Sequence, residues 1–523
     1  MSRRDEPAAG WVVTPLSELL TGIESGKSFQ CEERPPVAGE VGVVKVSAVS
    51  WGEYREQESK TCTTADRVNA DYFIRPGDFL FSRANTIELV GACVIARQVT
   101  LRVMLSDKIL RLQFLWDDLK PWMLHFLGSK AGRLQIETLA SGNQESMRNI
   151  GQERLGQILV PLPPQAEQAR IVAKLEELLS ELDAGVAELK AAQAKLKQYR
   201  QSLLKAAVEG ALTAEWRARN PPQETGTELL ARILRERRAR WEAQQLDRFK
   251  ADGKTPPKNW QAKYIAPNPA STRSLPALPR GWAVASLDEL IYRSNYGTSV
   301  KCQYGSQGVA VLRIPNISPG GMSFDDLKFA TEELGVVESD YLAPGDILMI
   351  RTNGSVGIVG RVGVVPEEGL TEKFYFASYL FRMRPAVGGP LAKWIGRYLS
   401  SPQARRVLES MAASSAGQHN ISLSATLRLP IPLPPLREQS AAIDMLNDLL
   451  VGTDCNEASI THGLRLAAAQ RQNILRAAFA GQLVPQDPAD EPASALLARI
   501  RAERAARAAA PEARRPRKRR ETT

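Results

Sequence analysis

The sequence has few of the residues that most enzymes use for chemistry. Among its 523 residues are only three histidines and five cysteines. The histidines (His125, His419 and His462) are far apart, and the cysteines show no C-x-x-C spacing, so neither set has the pattern of a metal site. An odd number of irregularly spaced cysteines is typical of a reducing compartment, and we expect a cytoplasmic protein.

Long apolar segments are also absent. No run approaches the ~18 apolar residues that a membrane helix needs. The first ten residues, "MSRRDEPAAG", carry charge without an apolar stretch behind them, unlike a secretory signal. With 43% hydrophobic and 24% charged residues, the composition is that of an ordinary globular chain. We therefore expect no membrane partner and, because of the length, several domains.

Motifs of catalytic chemistry are missing as well. "NPPQ" (220–223) approaches the Asn-Pro-Pro-aromatic motif of amino-methyltransferases, but Gln223 stands where an aromatic ring would stack on the base. The glycine-rich "GSVGIVG" (354–360) lacks a following P-loop Lys-Ser/Thr pair, and a hairpin turn explains it better. "ELK" (188–190) belongs to no cluster of carboxylates. The sequence predicts a chain with no catalytic site, metal or cofactor of its own.

What the sequence does contain is an internal repeat with an offset of 271 residues. "VPLPPQAEQARIVAKLEELLSELD" at 160–183 returns as "IPLPPLREQSAAIDMLNDLLVGTD" at 431–454. The same offset pairs Trp11 with Trp282, whereas the stretches in between have diverged. Nearly the whole chain is therefore two copies of one design, each with a variable and a kept part.

The repeat divides the chain into segments. We assign them as an N-terminal tail (1–10), a first variable domain (11–160), a first long helix (161–215), a linker with a basic helix and a proline-rich part (216–281), a second variable domain (282–431), a second long helix (432–484), and a C-terminal helix with a basic tail (485–523).

Each PLPP motif is followed by a predicted long helix. Leucine recurs every seven residues in the first, which predicts a heptad seam that needs a partner helix. We expect the second helix to be that partner, although Thr453, Asn456 and Gly463 interrupt its seam. The alternative is that each helix packs only on its own domain. The seam positions are Leu175, Leu182, Leu189, Leu196 and Leu203 in the first helix and Leu446, Ile460 and Ile474 in the second.

The variable domains are predicted to be α/β (α+β). Apolar stretches at 41–49 and 309–317 indicate strands. "PGDFLFSR" (76–83) and "PGDILMIR" (344–351) each predict a tight turn and a short buried strand that ends at an arginine. The two domains therefore share one plan despite their divergence.

A polar loop follows each of these arginines, and a second polar loop precedes each PLPP motif. Arg, Asn, Gln and Ser side chains read base edges or hold phosphates, and function commonly lies on loops. Ordinary solvated turns are the alternative for any one loop, but the loops occur at matching places in both copies. The candidate DNA-binding residues are Arg83, Asn85, Thr86, Asn143, Gln144 and Arg148 in the first domain and Arg351, Asn353, Ser355, Ser415, Gln418 and Asn420 in the second.

Positive charge is concentrated at the C-terminus. The net charge is +10, and residues 499–523 contain ten basic and three acidic residues. The variable domains are close to neutral, so bulk charge alone identifies neither as a DNA binder. The tail "RRPRKRR" (514–520) is compatible with salt-sensitive phosphate contacts and with a disordered end, and both interpretations stay open.

The paired "PLPPQAEQ" (161–168) and "PLPPLREQ" (432–439), each followed by a long helix, resemble the specificity (S) subunits of type I restriction-modification enzymes. The Gly-Trp start of each copy and the PGD strands support this resemblance, which covers nearly the full chain. It implies two target-recognition domains that each read one half of a split, asymmetric DNA site. It also implies long helices that space these domains, pair as an antiparallel coiled coil and dock the other subunits.

The resemblance further implies the partners. These are double-stranded DNA, two methyltransferase (M) subunits and restriction/translocase (R) subunits, with S-adenosylmethionine, ATP and Mg²⁺ held by M and R rather than by this non-catalytic chain. The implied fold is two tandem repeats with pseudo-two-fold symmetry. The competing interpretation is a two-domain coiled-coil scaffold that binds only proteins, which the near-neutral variable domains favour.

Overall fold

A computed structural model describes the protein as two compact units. The first contains residues 1–189 and 461–523, and the second contains residues 190–460. Side chains of residues 143, 144, 415, 508 and 509 lie outside the description. The residues described are 8–64, 68–144, 147–271, 277–305, 307–318, 321–368, 370, 372–415 and 417–509.

The first unit is built on β-sheets covered by helices. Its strands are β1 (Val12–Pro15), β2 (Leu20–Ser25), β3 (Cys31–Glu32), β4 (Gly42–Val44), β5 (Ser59–Cys62), β6 (Phe79–Ser82), β7 (Ala84–Asn85), β8 (Cys93–Ile95), β9 (Val103–Met104), β10 (Ile109–Phe114), β11 (Ser141–Gln144), β12 (Met147–Asn149) and β13 (Leu159–Leu162). Its helices are α1 (Leu16–Leu19), α2 (Leu119–Gly128), α3 (Lys130–Leu139), α4 (Gln152–Gly156) and the first part of α5 (Gln165–Val208).

The second unit repeats this plan. After α5 come α6 (Ala214–Arg219) and α7 (Gly226–Ala251). Its strands are β14 (Ala283–Ser286), β15 (Ile291–Tyr296), β16 (Cys302–Gln303), β17 (Ala310–Leu312), β18 (Ile317–Ser318), β19 (Gly321–Met322), β20 (Lys328–Ala330), β21 (Ile347–Ile350), β22 (Thr352–Asn353), β23 (Val362–Val364), β24 (Phe374–Phe376), β25 (Leu380–Pro385), β26 (Ala413–Ser415), β27 (Gln418–Asn420) and β28 (Pro430–Leu433). Its remaining helices are α8 (Leu287–Leu290), α9 (Pro390–Leu399), α10 (Pro402–Met411), α11 (Leu423–Leu427) and the first part of α12 (Leu436–Phe479). The last part of α12 and α13 (Ala493–Ala509) belong to the first unit.

The two larger sheets have the same topology in both units, and the second unit adds the small sheet β18-β19. An antiparallel sheet has the order β2-β10-β6-β8 in the first unit and β15-β25-β21-β23 in the second. A mixed sheet has the order β3-β5-β4-β9 in the first and β16-β20-β17-β24 in the second, with one parallel pair in each. The predicted mixture of strands with long helices is confirmed. Among the described residues, no helix is both long and apolar enough to cross a bilayer.

The strand after each PGD turn is buried on both faces. In β6, Phe79 and Phe81 pack in the cluster formed with α1 and α2, whereas Leu80 packs on the other face with Val44 and Ile109. This double burial explains an unbroken apolar run in an antiparallel sheet. The turn itself needs glycine, because Gly77 and Gly345 have φ values of +89° and +81°.

The predicted strands at 41–49 and 309–317 are too long. The strands β4 and β17 have only three residues each, short 3₁₀ helices follow at Val46–Val49 and Ile314–Asn316, and β18 begins at Ile317. In the second case Pro315 has no N–H to donate to a neighbouring strand, and the Asn316 side chain accepts from the Arg313 amide at 2.8 Å. An apolar pattern records burial, which continues through these turns.

The PLPP-x-x-EQ motif joins each long helix to its domain. β1 pairs with β13 and β14 with β28, so that the first two residues of each PLPP motif lie at the end of a strand. In the first copy the Trp11 indole N–H donates to Glu167 at 3.0 Å, and Gln168 donates to the Pro163 carbonyl at 2.8 Å. The second copy repeats both bonds: Trp282 donates to Glu438 at 2.9 Å, and Gln439 donates to the Pro434 carbonyl at 2.8 Å.

The segment 216–281, predicted as a linker, contains more than a connection. Its helix α7 contributes the fully buried Leu229 and Ile233 to the core of the second unit. Helix α13 does the same in the first unit, where Leu496 and Ile500 are buried. Each unit is therefore completed by the helix that follows a long helix in sequence.

Candidate nucleic-acid interface

In each unit, the two predicted polar loops meet in one small sheet. In the first unit β7, which follows Arg83, pairs with β12, and β12 pairs with β11. We call these three strands the first polar sheet. In the second unit β22 pairs with β27, and β27 with β26, to form the second polar sheet. The sequence predicts two separate polar loops in each domain, whereas the fold places these two loops side by side.

Two buried isoleucines fix these sheets to the scaffold. The amide of Ile150 donates to the Arg83 carbonyl at 2.9 Å, and the amide of Ile421 donates to the Arg351 carbonyl at 2.9 Å. Both isoleucines lie in the main cores of their units. The arginine at the end of each buried strand is thus held by its backbone, and its side chain is half-buried.

The first polar sheet presents amide and guanidinium groups. Arg83 Nε donates to Asn149 Oδ1 at 3.2 Å, and Asn85 Nδ2 donates to Ser50 Oγ at 3.4 Å. Asn85 Oδ1 accepts from the Thr86 amide at 2.9 Å. Arg148 is half-buried, and its Nε has no partner among the described residues. The predicted residues Asn143 and Gln144 lie on β11, but their side chains are outside the description.

The second polar sheet has the same groups and an added aromatic ring. The Arg351 guanidinium lies over the Tyr296 ring, 4.9 Å from its centre. Asn353 Oδ1 accepts from the Ser355 amide at 2.9 Å, as Asn85 does with Thr86. Thr352 Oγ1 donates to Gln418 Oε1 at 3.2 Å. Asn420 is half-buried opposite Thr352, and Ser415 ends β26 with its side chain outside the description.

Several residues beside the polar sheets were not among the predicted DNA-binding residues. Trp51 is 58% exposed and adjoins Ser50, the partner of Asn85. Tyr296 and Tyr379 are 46% and 55% exposed, and the Arg351 amide donates to the Tyr379 carbonyl at 2.9 Å. Asn149 had a signal, because it pairs with Asn420 in the repeat. The aromatic residues had none, since each lies far from the polar loops in sequence.

These groups suit recognition of a polar ligand. Amides present both a donor and an acceptor, guanidinium groups bind guanine edges or phosphates, and exposed rings stack on bases or sugars. Within the part of the chain that is described, no group of three or more His, Cys, Asp or Glu side chains could hold a metal ion. The arrangement can bind an extended polar ligand.

The predicted seam positions on the long helices differ in burial. Leu175, Leu203, Leu446 and Ile474 are buried, whereas Leu182, Leu189, Leu196 and Ile460 are half-buried. In the first unit, Asp183 pairs with Arg471, and Leu189 lies against Gly463. In the second, Arg200 Nε donates to Thr453 Oγ1 at 3.0 Å, and Leu203 packs with Leu446. Within each unit, the two helical segments therefore run in opposite directions.

Two of the three residues predicted to interrupt the seam of α12, Gly463 and Thr453, make contacts with α5. A Cβ on Gly463 would lie 3.2 Å from Leu189 Cδ1, so the glycine makes room for the leucine. Thr453 is buried and accepts the Arg200 hydrogen bond. Asn456 is exposed.

The comparisons with known proteins agree with the resemblance seen in the sequence. No protein-family model matches the chain. The specificity subunit of the type I restriction enzyme EcoKI from Escherichia coli K12 is 26% identical over 393 residues, which are 74% of this chain and 72% of that subunit. The StySPI specificity subunit from Salmonella potsdam is 26% identical over 396 residues, 73% and 72% of the two chains. A chain from a solved type I restriction-modification system is 16% identical with a TM-score of 0.59, covering 91% of this chain and 100% of that one.

Proposed function

We propose that this chain, a relative of type I restriction enzyme specificity subunits, is the non-catalytic subunit that selects the DNA site of such a complex. The observation that carries this proposal is the polar sheet that recurs in both units. Each sheet presents Arg and Asn side chains from two loops on a rigid core, and each differs in detail from the other. Two similar but unequal readers suit a split, asymmetric site.

The competing scaffold interpretation has less support. The relatives found are specificity subunits over about three quarters of the chain, and the polar sheets have the side chains that base recognition needs. The near-neutral charge of the variable domains does not oppose DNA binding, because a few well-placed cations are sufficient to position a duplex.

The remaining parts of the proposal concern the long helices and the partners. We propose that α5 and α12 pair as an antiparallel coiled coil, set the spacing between the half-sites and dock two M subunits. Through them the chain would join R subunits, with S-adenosylmethionine, ATP and Mg²⁺ bound by M and R. Such a complex acts where the DNA is, the cytoplasm in a cell without a nucleus. The basic residues 514–520 lie outside the described residues and carry no part of this proposal.

Reciprocal asparagine variants test the proposal. The chain is co-expressed with its M subunit, and methylated sites are mapped across a genome. Asn353→Ala should relax a position in one half-site only, and Asn85→Ala a position in the other. Loss of one base contact costs about 1–3 kcal/mol of discrimination at that position. Ser424→Ala, an exposed hydroxyl outside both sheets, is the control.

The outcomes separate the two interpretations. Relaxation of the same half-site by both variants would contradict independent readers. A complex that assembles with M but neither binds nor methylates DNA would favour the scaffold.

A further inference from the structure

The second unit contains a cavity of about 530 Å³. It lies between the helices α9 and α10 and the long-helix segments of the second unit, and four arginines line it: Arg200, Arg361, Arg397 and Arg405. Two of them contact the loop that follows β22 of the second polar sheet. Arg361 Nε and Arg405 Nη2 donate to the Gly357 carbonyl in this loop, at 3.0 and 3.4 Å. The cavity therefore lies beside the loop that follows β22 of the second polar sheet.

Two of these arginines lack a counter-charge. Arg200 pairs with Asp454 and with Glu457, and Arg405 pairs with Glu409. Among the described residues, no carboxylate lies within ion-pair distance of Arg361 or Arg397.

Arg397 is the more constrained of these two. Its Nη2 donates to Asn447 Oδ1 at 2.8 Å, and burial lowers the pKa of its guanidinium. A guanidinium removed from water with only a neutral partner is costly unless an anion joins it.

The first unit has an equivalent cavity without this excess charge. Trp122 and Trp394 each donate to a proline carbonyl of the PLPP strand, which fixes the correspondence of α2 with α9. Three residues later His125 stands where the second unit has Arg397, and Glu176 lines the cavity where the second has Asn447. Burial lowers the pKa of His125, which favours the uncharged form of its ring.

The arginines of the first cavity are all paired. The pairs are Arg97 with Glu176, Arg133 with Glu137 and Arg471 with Asp183. Among the described residues, arginines without a carboxylate partner thus line the cavity of the second unit but not the equivalent cavity of the first, so the fold does not require them.

We propose that Arg361 and Arg397 bind a phosphate group of the DNA backbone beside the half-site that the second polar sheet reads. This inference rests on the proposed function. Guanidinium groups match phosphate oxygens with parallel hydrogen bonds, and phosphate contacts fix the position of a reader without adding sequence preference. A DNA phosphate is the favoured occupant because the cavity shares the Gly357 loop with the polar sheet.

The test measures salt dependence with the complete S–M complex and a duplex that carries the mapped site. Arg397→Gln and Arg361→Gln should each weaken binding roughly tenfold and reduce the slope of log K against log salt by about one. Base preference in the second half-site should stay unchanged. Arg397→Lys, which keeps the charge, should retain most of the slope. Arg406→Gln is the matched control, because Arg406 is exposed on α10 outside the cavity.

Each other result overturns the inference in a distinct way. The slopes of the variants could equal the wild-type slope although the wild type binds DNA and the variants unfold at the wild-type temperature. That result would exclude the phosphate contact and leave the proposed function in place. Weaker assembly of Arg397→Gln with M in the absence of DNA would assign the cavity to an acidic segment of that subunit. If the free chain binds ATP and Arg397→Gln abolishes this binding, the cavity would be assigned to a nucleotide. A wild-type complex that does not bind DNA would instead remove the proposed function.

Discussion

Glu167 and Glu438 occupy equivalent positions of the repeat, but their carboxylates have different neighbours. Both are buried, and both accept a tryptophan N–H. Glu438 also accepts from Arg217 Nε at 2.9 Å and from Thr213 at 2.7 Å. No cation lies within ion-pair distance of Glu167 among the described residues, and burial raises its pKa.

Replacing each glutamate by glutamine should therefore have opposite effects. Because the pKa of Glu167 is raised on folding, the folded state binds more protons than the unfolded state just above the usual pKa of glutamate. The wild type thus loses stability as the pH rises through that range. Glu167→Gln removes this loss, so the variant should equal the wild type in acid and exceed it at pH 7.

Glu438→Gln is the matched variant in the other unit. It leaves the mostly buried Arg217 without its carboxylate and should cost roughly 1–3 kcal/mol at pH 7. Hydrogen exchange of each unit, measured across the pH range, gives both quantities. Equal destabilisation of the two units at pH 7 would contradict this account.

At the level of single residues, the sequence predicts which residues lie at the candidate site better than it predicts the side chains that they contact. Arg83, Asn85, Arg351 and Asn353 were identified as polar residues after a buried strand, and all lie on or beside the polar sheets. The contact between Asn85 and Ser50 joins residues 35 apart in sequence. No local pattern records such a pairing, because it depends on how two sheets pack.

At the level of elements, the glycines of α12 show how a long helix accommodates its neighbour. Gly452 and Gly463 are both inside the helix. Nothing lies within 4 Å of a Cβ placed on Gly452, whereas a Cβ on Gly463 would meet Leu189 at 3.2 Å. One glycine therefore weakens the helix without any packing role, and the other admits a leucine.

Alanine substitutions should distinguish the two glycines. Gly452→Ala should raise the free energy of unfolding by up to about 1 kcal/mol, the usual difference in helix propensity. Gly463→Ala should gain clearly less, because Leu189 must move. In a Leu189→Ala background the full gain should return. Urea unfolding followed by helix-resolved hydrogen exchange measures these values, and an equal gain for both single variants would refute the close contact.

Long helices and turns were predictable because their signals are local. The heptad leucines and the PLPP entry predicted α5, and the PGD turns predicted β6 and β21. The polar sheets were not predictable as sheets, since β7 and β12 are some sixty residues apart and only two or three residues long. Strands this short exist because the surrounding core holds their ends together.

At the level of the whole molecule, both ends of the chain supply parts of the first unit. Its core includes Ile474 and Leu475 from α12 and Leu496 and Ile500 from α13. The repeat provides equivalents for these residues within the N-terminal half. They are Leu203 and Leu204 in α5 and Leu229 and Ile233 in α7.

A fragment of residues 1–252 should therefore form a symmetric dimer, as each copy offers the other the segments that it lacks. With M present it should methylate an interrupted palindrome, because two identical readers give a symmetric site. A fragment ending at residue 220 is the control: it lacks α7 and should dimerise more weakly. Light scattering and methylation mapping test both fragments, and a monomeric 1–252 fragment or an asymmetric site would disprove the prediction.

The contribution of α13 to the first unit has a consequence for biosynthesis. Residues 190–460 are contiguous, so the second unit can complete its core while the ribosome is still translating the end of the message. The first unit must wait for α13, whose Ala493 amide donates to the Gly10 carbonyl at 2.9 Å and whose Glu503 accepts from the Trp116 indole at 2.9 Å. A premature stop codon after residue 485 would thus impair the reader that was synthesised first and spare the one synthesised later.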